Sequence, residues 1–83
     1  MIRLDGNSIA GVLEELFGRE MTLASGRCTG CGAEREVGAL HVYRSAGIVV
    51  RCPDCDTVLI RIVQAGDRTW IDLRGLSTLQ LSG

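Results

Sequence analysis

The chain contains no lysine, one histidine, one proline and one each of phenylalanine, tyrosine and tryptophan. It also has no run approaching the ~18 apolar residues of a membrane-crossing helix, which excludes a helical membrane span. Ile2 to Leu4 is too short for the apolar segment of a signal peptide, and Asp5 and Gly6 interrupt it, so a cytoplasmic protein with reduced thiols is expected. With His41 the sole imidazole and no serine beside a plausible base, nucleophilic catalysis has nothing to build on. The nine basic residues are all arginine, a bias that fits a high-GC genome. Ten acids outnumber them for a net charge of −1, so the basic footprint of a nucleic-acid binder is missing. There is no low-complexity tract, no linker and no repeat beyond a doubled C-x-x-C. Residues 1–83 read as one domain.

What is present is cysteine in a specific arrangement. Cys28-Thr-Gly-Cys31-Gly32 is followed, after 20 residues, by Cys52-Pro-Asp-Cys55-Asp56. A chain of this size buries a core worth only ~3–5 kcal/mol and is expected to carry a staple. Two C-x-x-C pairs in a reducing compartment read as a tetrahedral metal cage rather than as disulfides. Zinc is the expected ion, one per chain, with iron the competing occupant of the same four sulfurs. Four protein thiolates close the coordination shell, and a closed shell is structural where a catalytic one keeps a place for water. Thiolate ligation on a divalent ion takes the total charge to about −3. Gly32 suits the positive φ that follows such a turn, Asp56 tolerates it, and Pro53 stiffens the second turn. Asp54 and Asp56 flank the second turn and are expected to be solvated.

Hydropathy patterning surrounds this cage with α+β structure. Ile9, Val12, Leu13, Leu16 and Phe17 form one apolar stripe, which predicts an amphipathic helix over 4–18 with Asn7 or Ser8 as cap and Gly18 as stop. From Met21 the period becomes two. Met21 to Ser25 reads as a short strand, Val37–Arg44 and Ile48–Cys52 as a hairpin about Ser45-Ala46-Gly47, and Thr57–Gln64 and Thr69–Arg74 as a second hairpin about Gly66-Asp67. The first hairpin pairs Val42 with Val50 and Leu40 with Cys52, leaving His41 and Tyr43 on the opposite side. In the second, Ala65 opposite Arg68 sets Ile60 and Ile62 against Leu73 and Ile71 on one aliphatic face, which should meet the helix. The other face then carries Val63 opposite Trp70, Arg61 opposite Asp72 and Leu59 opposite Arg74. Residues 76–83 form a tail with leucines at 76, 79 and 81, either an edge strand or loosely packed.

Two such turns feeding antiparallel strands resemble a zinc ribbon. The order DGNSIAGVLEELFG, RCTGCG, ALHVY, VVRCPDC, VLIRIV and WIDLRG is similar to a family of short zinc-ribbon proteins of unknown function from high-GC Gram-positive bacteria. That resemblance spans nearly the whole chain, weakest in the tail. It implies a ribbon fold and zinc ligands at Cys28, Cys31, Cys52 and Cys55, and it carries no activity with it.

Mean hydropathy of +0.20 is high for so small a chain and leaves apolar surplus at the surface. Arg61, Trp70, Asp72 and Arg74 form the candidate interaction face, for a protein partner or a second copy. Its plain alternative is a solvated sheet surface with one partly covered tryptophan. A nucleic-acid-binding ribbon is the runner-up: arginines lie on or beside the strands and His41, Tyr43 and Trp70 could stack on bases, against the acidic balance. A redox switch through zinc release, or an enzyme, is the least supported class.

Overall fold

The computed structural model describes residues 3–81. Met1, Ile2, Ser82 and Gly83, with the end of the expected tail, lie outside the described residues. Among the described residues, eight strands and one short helix build an α+β unit. In chain order these are β1 (Arg3–Asp5), α1 (Ala10–Phe17), β2 (Ser25–Cys28), β3 (Glu34–Glu36), β4 (His41–Arg44), β5 (Ile48–Arg51), β6 (Val58–Ala65), β7 (Arg68–Asp72) and β8 (Leu76–Gln80). They form two antiparallel sheets, one of five strands in the order β1-β4-β5-β6-β7 and one of three in the order β3-β2-β8.

The N-terminal segment departs from the expected helix over 4–18. Arg3–Asp5 pairs with β4, setting Leu4 opposite Val42, and only then does the chain coil, first as a 3-10 turn over Gly6–Ile9 and then as α1. Asp5 is the cap, accepting the Asn7 N–H at 3.1 Å, while the Ser8 hydroxyl donates back to the Asp5 carbonyl at 2.7 Å. Leu4 lies outside the apolar stripe that begins at Ile9, and pairing with the fully buried Val42 draws it into the sheet instead. Gly18 ends the helix at φ 74°. Eight residues are too few for a stable isolated helix. Its position comes from Ile9 and Leu13, each 1% exposed, with Val12, Leu16 and Phe17 packed at the rim of the same cluster.

That cluster joins the inner faces of the sheets. Val42, Val50, Ile48, Ile60 and Ile62 line it from the five-stranded sheet, and Cys28, Leu76 and Leu79 approach from the other. Both hairpin registers match the expected pairings: Val42 opposite Val50, Ile62 opposite Ile71, Val63 opposite Trp70 and Arg61 opposite Asp72. Two expected strand stretches are not strand. Met21–Ala24 closes a turn, with the Ala24 N–H on the Met21 carbonyl, and Val37–Ala39 is a 3-10 turn that buries Val37. The residues at 76–80 resolve the alternative left for the tail, pairing as an edge strand with β2.

Leu59 breaks the expected alternation. Placed by period two on the amphipathic face, it is only 2% exposed. The β5–β6 ladder shifts register beside it, so that Val50 faces Ile60 but Arg51 faces Val58. The bulge leaves Leu59 without a ladder partner on β5, next to the paired Val58. The returning chain then covers them: a Cβ on Gly75 would lie 1.9 Å from the Val58 carbonyl oxygen and 2.4 Å from the Leu59 Cα. Only glycine fits there. Gly75→Ala is expected to cost about 2–3 kcal/mol or more by forcing β8 off the bulge. Urea or thermal unfolding of the variant, against Gly11→Ala where a Cβ meets nothing within 4 Å, measures the difference.

Candidate metal centre and exposed sheet face

Both cysteine pairs occupy the same local structure. In the first turn the Cys28 N–H donates to the Ala33 carbonyl and the Gly32 N–H to the Cys28 carbonyl, each at 2.9 Å. The second repeats both bonds at the same length, Cys52 to Thr57 and Asp56 to Cys52. The residue after each second cysteine takes a positive φ, 78° at Gly32 and 67° at Asp56. No other non-glycine residue among those described does so, and aspartate is one of the few that tolerate it. Backbone N–H groups at the tip of each turn reach a sulfur: Gly30 to Cys28 Sγ at 3.2 Å, Asp54 to Cys52 Sγ at 3.4 Å.

These matched turns bring all four Sγ atoms within 4.8 Å of one another. Across the gap Cys28 and Cys55 stand 3.6 Å apart and Cys31 and Cys52 3.7 Å. Bonds of 2.3 Å in a tetrahedron set the sulfurs about 3.8 Å apart, close to these two separations, so the four could hold a metal ion. Cys28 and Cys52 are buried, Cys31 and Cys55 exposed, and all four are free thiols. Their protons reflect the crowding. Burial, the largest influence on Cys28, opposes its ionisation, yet N–H groups of Cys31 and Gly30 and the thiols of Cys55 and Cys31 outweigh it and bring the thiol down to about 6. At Cys31 the Ala33 N–H favours the thiolate, but burial and three neighbouring sulfurs override it and push the thiol up to about 12. Four thiolates cannot share this space without a cation among them.

Charged side chains brace the second turn, which the sequence reading left solvated. Arg35 on β3 grips Asp54 with two bonds of 2.8 Å, holding that carboxyl below its ordinary range. Arg51 donates to the Asp56 carbonyl at 2.9 Å and lies 3.6 Å from its carboxylate. No spacing rule announces a pair 19 residues apart.

The candidate interaction residues lie on the face of the five-stranded sheet turned away from α1. Ladder pairing runs Arg3, Tyr43, Val49, Arg61 and Asp72 in one row across all five strands. Trp70 is 52% exposed beside Val63 at 41%. Asp72 does not bond to Arg61 across the ladder; it binds Arg74, two residues on, through both carboxylate oxygens at 2.7–3.1 Å. Arg61 is left with no ion-pair partner within 4 Å among the described residues. A shallow cavity of about 450 Å³ opens here, lined by Val49, Arg51, Val58, Arg61, Asp72 and Arg74. His41, opposite Asp5 and Arg51, borders a wider cleft of about 650 Å³ with Arg3 and Glu36, and no hydrogen bond orients its imidazole among the described residues.

Over its whole length, residues 1–83, the chain belongs to a family of unknown function, DUF6510. No curated protein and no solved structure matches it.

The Arg74 guanidinium, with the Arg74 N–H, holds the Asp72 carboxyl down at about 2. Because its pKa is depressed by folding, the pair's contribution is present above the ordinary carboxylate range and is lost as pH falls through about 2. Carboxyl-carbon NMR titration should give that midpoint for Asp72, and Arg74→Ala should raise it towards the usual value while leaving Asp54 unmoved.

Proposed function

We propose that this member of DUF6510 is a non-enzymatic zinc ribbon. In this reading Cys28, Cys31, Cys52 and Cys55 hold one structural Zn²⁺, and the sheet face around Trp70 is a protein-interaction surface. The donor set supports the metal: four sulfurs with S–S distances near those of a tetrahedral thiolate site, and matched turns aiming N–H groups at them. A shell closed by protein leaves no position for a substrate or water. The single observation that carries the interaction reading is the half-exposed Trp70. It sits beside Val63 and near Arg61, which has no ion-pair partner within 4 Å among the described residues, a combination found at binding centres. The unoriented His41 argues against acid–base catalysis, which needs a base held by a third group.

One observation favours the runner-up. The row Arg3, Tyr43, Val49 and Arg61, with Trp70 nearby, puts two cations and two rings on one face, the groups that single-stranded nucleic acid uses. Against it stands the net charge of −1, more negative still with metal bound.

Structural zinc contributes roughly 10–16 kcal/mol to domains of this kind, well beyond the ~3–5 kcal/mol of so small a core. EDTA under reducing conditions should therefore abolish the far-ultraviolet circular dichroism of the fold, and added Zn²⁺ should restore it with one ion per chain. An apo protein that stays folded overturns the structural role. For the surface, affinity capture from the native cell with zinc-loaded protein should retain a protein that the folded Arg61→Ala/Trp70→Ala variant loses. Co-purified nucleic acid displaced by moderate salt selects the runner-up, and identical capture by wild type and variant ends the surface reading.

A further inference from the structure

The five-stranded sheet ends on β7, and this edge differs from every other edge in the molecule. Proteins protect exposed edges with short strands, charge, proline or bulges, because a row of free N–H and C=O groups recruits another strand. The opposite edge, β1, has three residues and two of them are charged. In the second sheet β3 is Glu34-Arg35-Glu36, and β8 meets its neighbour through a register shift. By contrast β7 runs five residues, Arg68-Thr-Trp-Ile-Asp72, in unbroken register with β6. It carries no proline or lysine, and both Trp70 and Ile71 are exposed, at 52% and 37%.

We propose that β7 pairs antiparallel with β7 of a second copy of this chain, centred on Trp70, joining the two five-stranded sheets into one. The proposal rests on the interaction-module reading and names one partner for that surface.

The backbone defines which groups are free. Ala65 and Arg68 flank the two-residue loop Gly66-Asp67, whose positive φ, 63°, is at Gly66, the pattern of a type II′ hairpin turn. Residues flanking such a loop exchange both hydrogen bonds, and the pairs then alternate. Arg68, Trp70 and Asp72 thus direct their backbone groups at β6, while Thr69 and Ile71 direct theirs outward. Two copies meeting about a two-fold axis at Trp70 bond Thr69 to Ile71 of the second copy, and the reverse.

Charge selects that register. Centring on Trp70 sets Arg68 against Asp72 of the second copy twice over, on the same face as the two tryptophans, and in non-hydrogen-bonded positions where side chains approach closest. Arg68 has no ion-pair partner within 4 Å among the described residues. Asp72 already holds Arg74, so the contact makes an alternating Arg–Asp–Arg row. Sliding the strands by two residues keeps the outward backbone groups aligned but separates the tryptophans. In one direction it also sets Arg68 against Arg74. Exposed ion pairs of this kind stabilise little, and here they discriminate while edge hydrogen bonds and burial of Trp70 supply the attraction. The resulting contact is small, in the range of weak, concentration-dependent association.

Two variants test the charge pattern directly, each checked for fold by circular dichroism and for metal content. Arg68→Asp should place Asp against Asp72 in its own dimer, and Asp72→Arg should place Arg against Arg68. Each alone should self-associate at least about tenfold more weakly than wild type in sedimentation equilibrium. An equimolar mixture restores Asp–Arg at both positions and should form the heterodimer. Trp70 is the only tryptophan, so its emission should shift to the blue as wild-type concentration rises. Self-association of Arg68→Asp at wild-type strength, or a mixture that stays monomeric, overturns the proposal. So does a wild type that is monomeric throughout, and that result leaves the capture experiment on Arg61 and Trp70 to decide the broader reading by itself.

Discussion

Convergence of four sulfurs is the constraint on which the rest of the architecture depends. Cys28 ends β2 in the smaller sheet and Cys52 follows β5 in the larger, so the cage joins two sheets that share no ladder. The Cys28 and Cys52 side chains are themselves among the core residues. Without a cation the cluster favours one thiolate and opposes a second, as the opposite shifts of Cys28 and Cys31 show. In the proposed reading, a cation at its centre would tie the two sheets together. The apolar core alone could not replace this link, since a chain of this length buries too little.

The duplicated turn explains why the site is so regular while its surroundings are not. Each turn is closed by the same two backbone hydrogen bonds and each ends on a left-handed residue. The peptide geometry is local, and any sequence with this spacing can adopt it. What differs is the external bracing: Arg35 and Arg51 hold the second turn, whereas the first is tied to the β7–β8 connection through the Thr29 N–H on the Gly75 carbonyl. The close pass of Gly75 over the β6 bulge therefore serves two purposes. It covers Leu59, and it anchors the chain beside the metal centre.

These differences mark what was legible in the sequence. The cage, both hairpins and their registers could be read because each depends on spacing within about 25 residues and on a strict period of two. Leu4 could not be read correctly, since it lies just ahead of the apolar stripe that begins at Ile9 and only pairing with a strand about 40 residues away assigns it to β1. Leu59 failed for a similar reason, because a bulge leaves no mark in the alternation of apolar residues. The Arg61–Asp72 charge pair was right in register and wrong in partner. Arg74 is nearer along the chain and reaches both carboxylate oxygens, so local geometry wins over the ladder. Arg35 with Asp54 lay beyond any pattern, as ion pairs between edge strand and turn obey no fixed spacing.

The same reasoning separates stability from recognition. At the four-sulfur site protein supplies all four donors, and neighbouring N–H groups already point at the sulfurs. On the far side of the sheet the balance is reversed. Arg61 has no ion-pair partner among the described residues, Trp70 remains half exposed, and the β7 edge has outward backbone groups without a ladder. A chain with so little core would gain stability by covering that tryptophan itself. Nothing among the described residues does so, although the β7–β8 connection covers Leu59 through Gly75. In the proposed reading that surface would be the place for a partner, and the four-sulfur cluster would bear on it only by fixing the sheet that presents it.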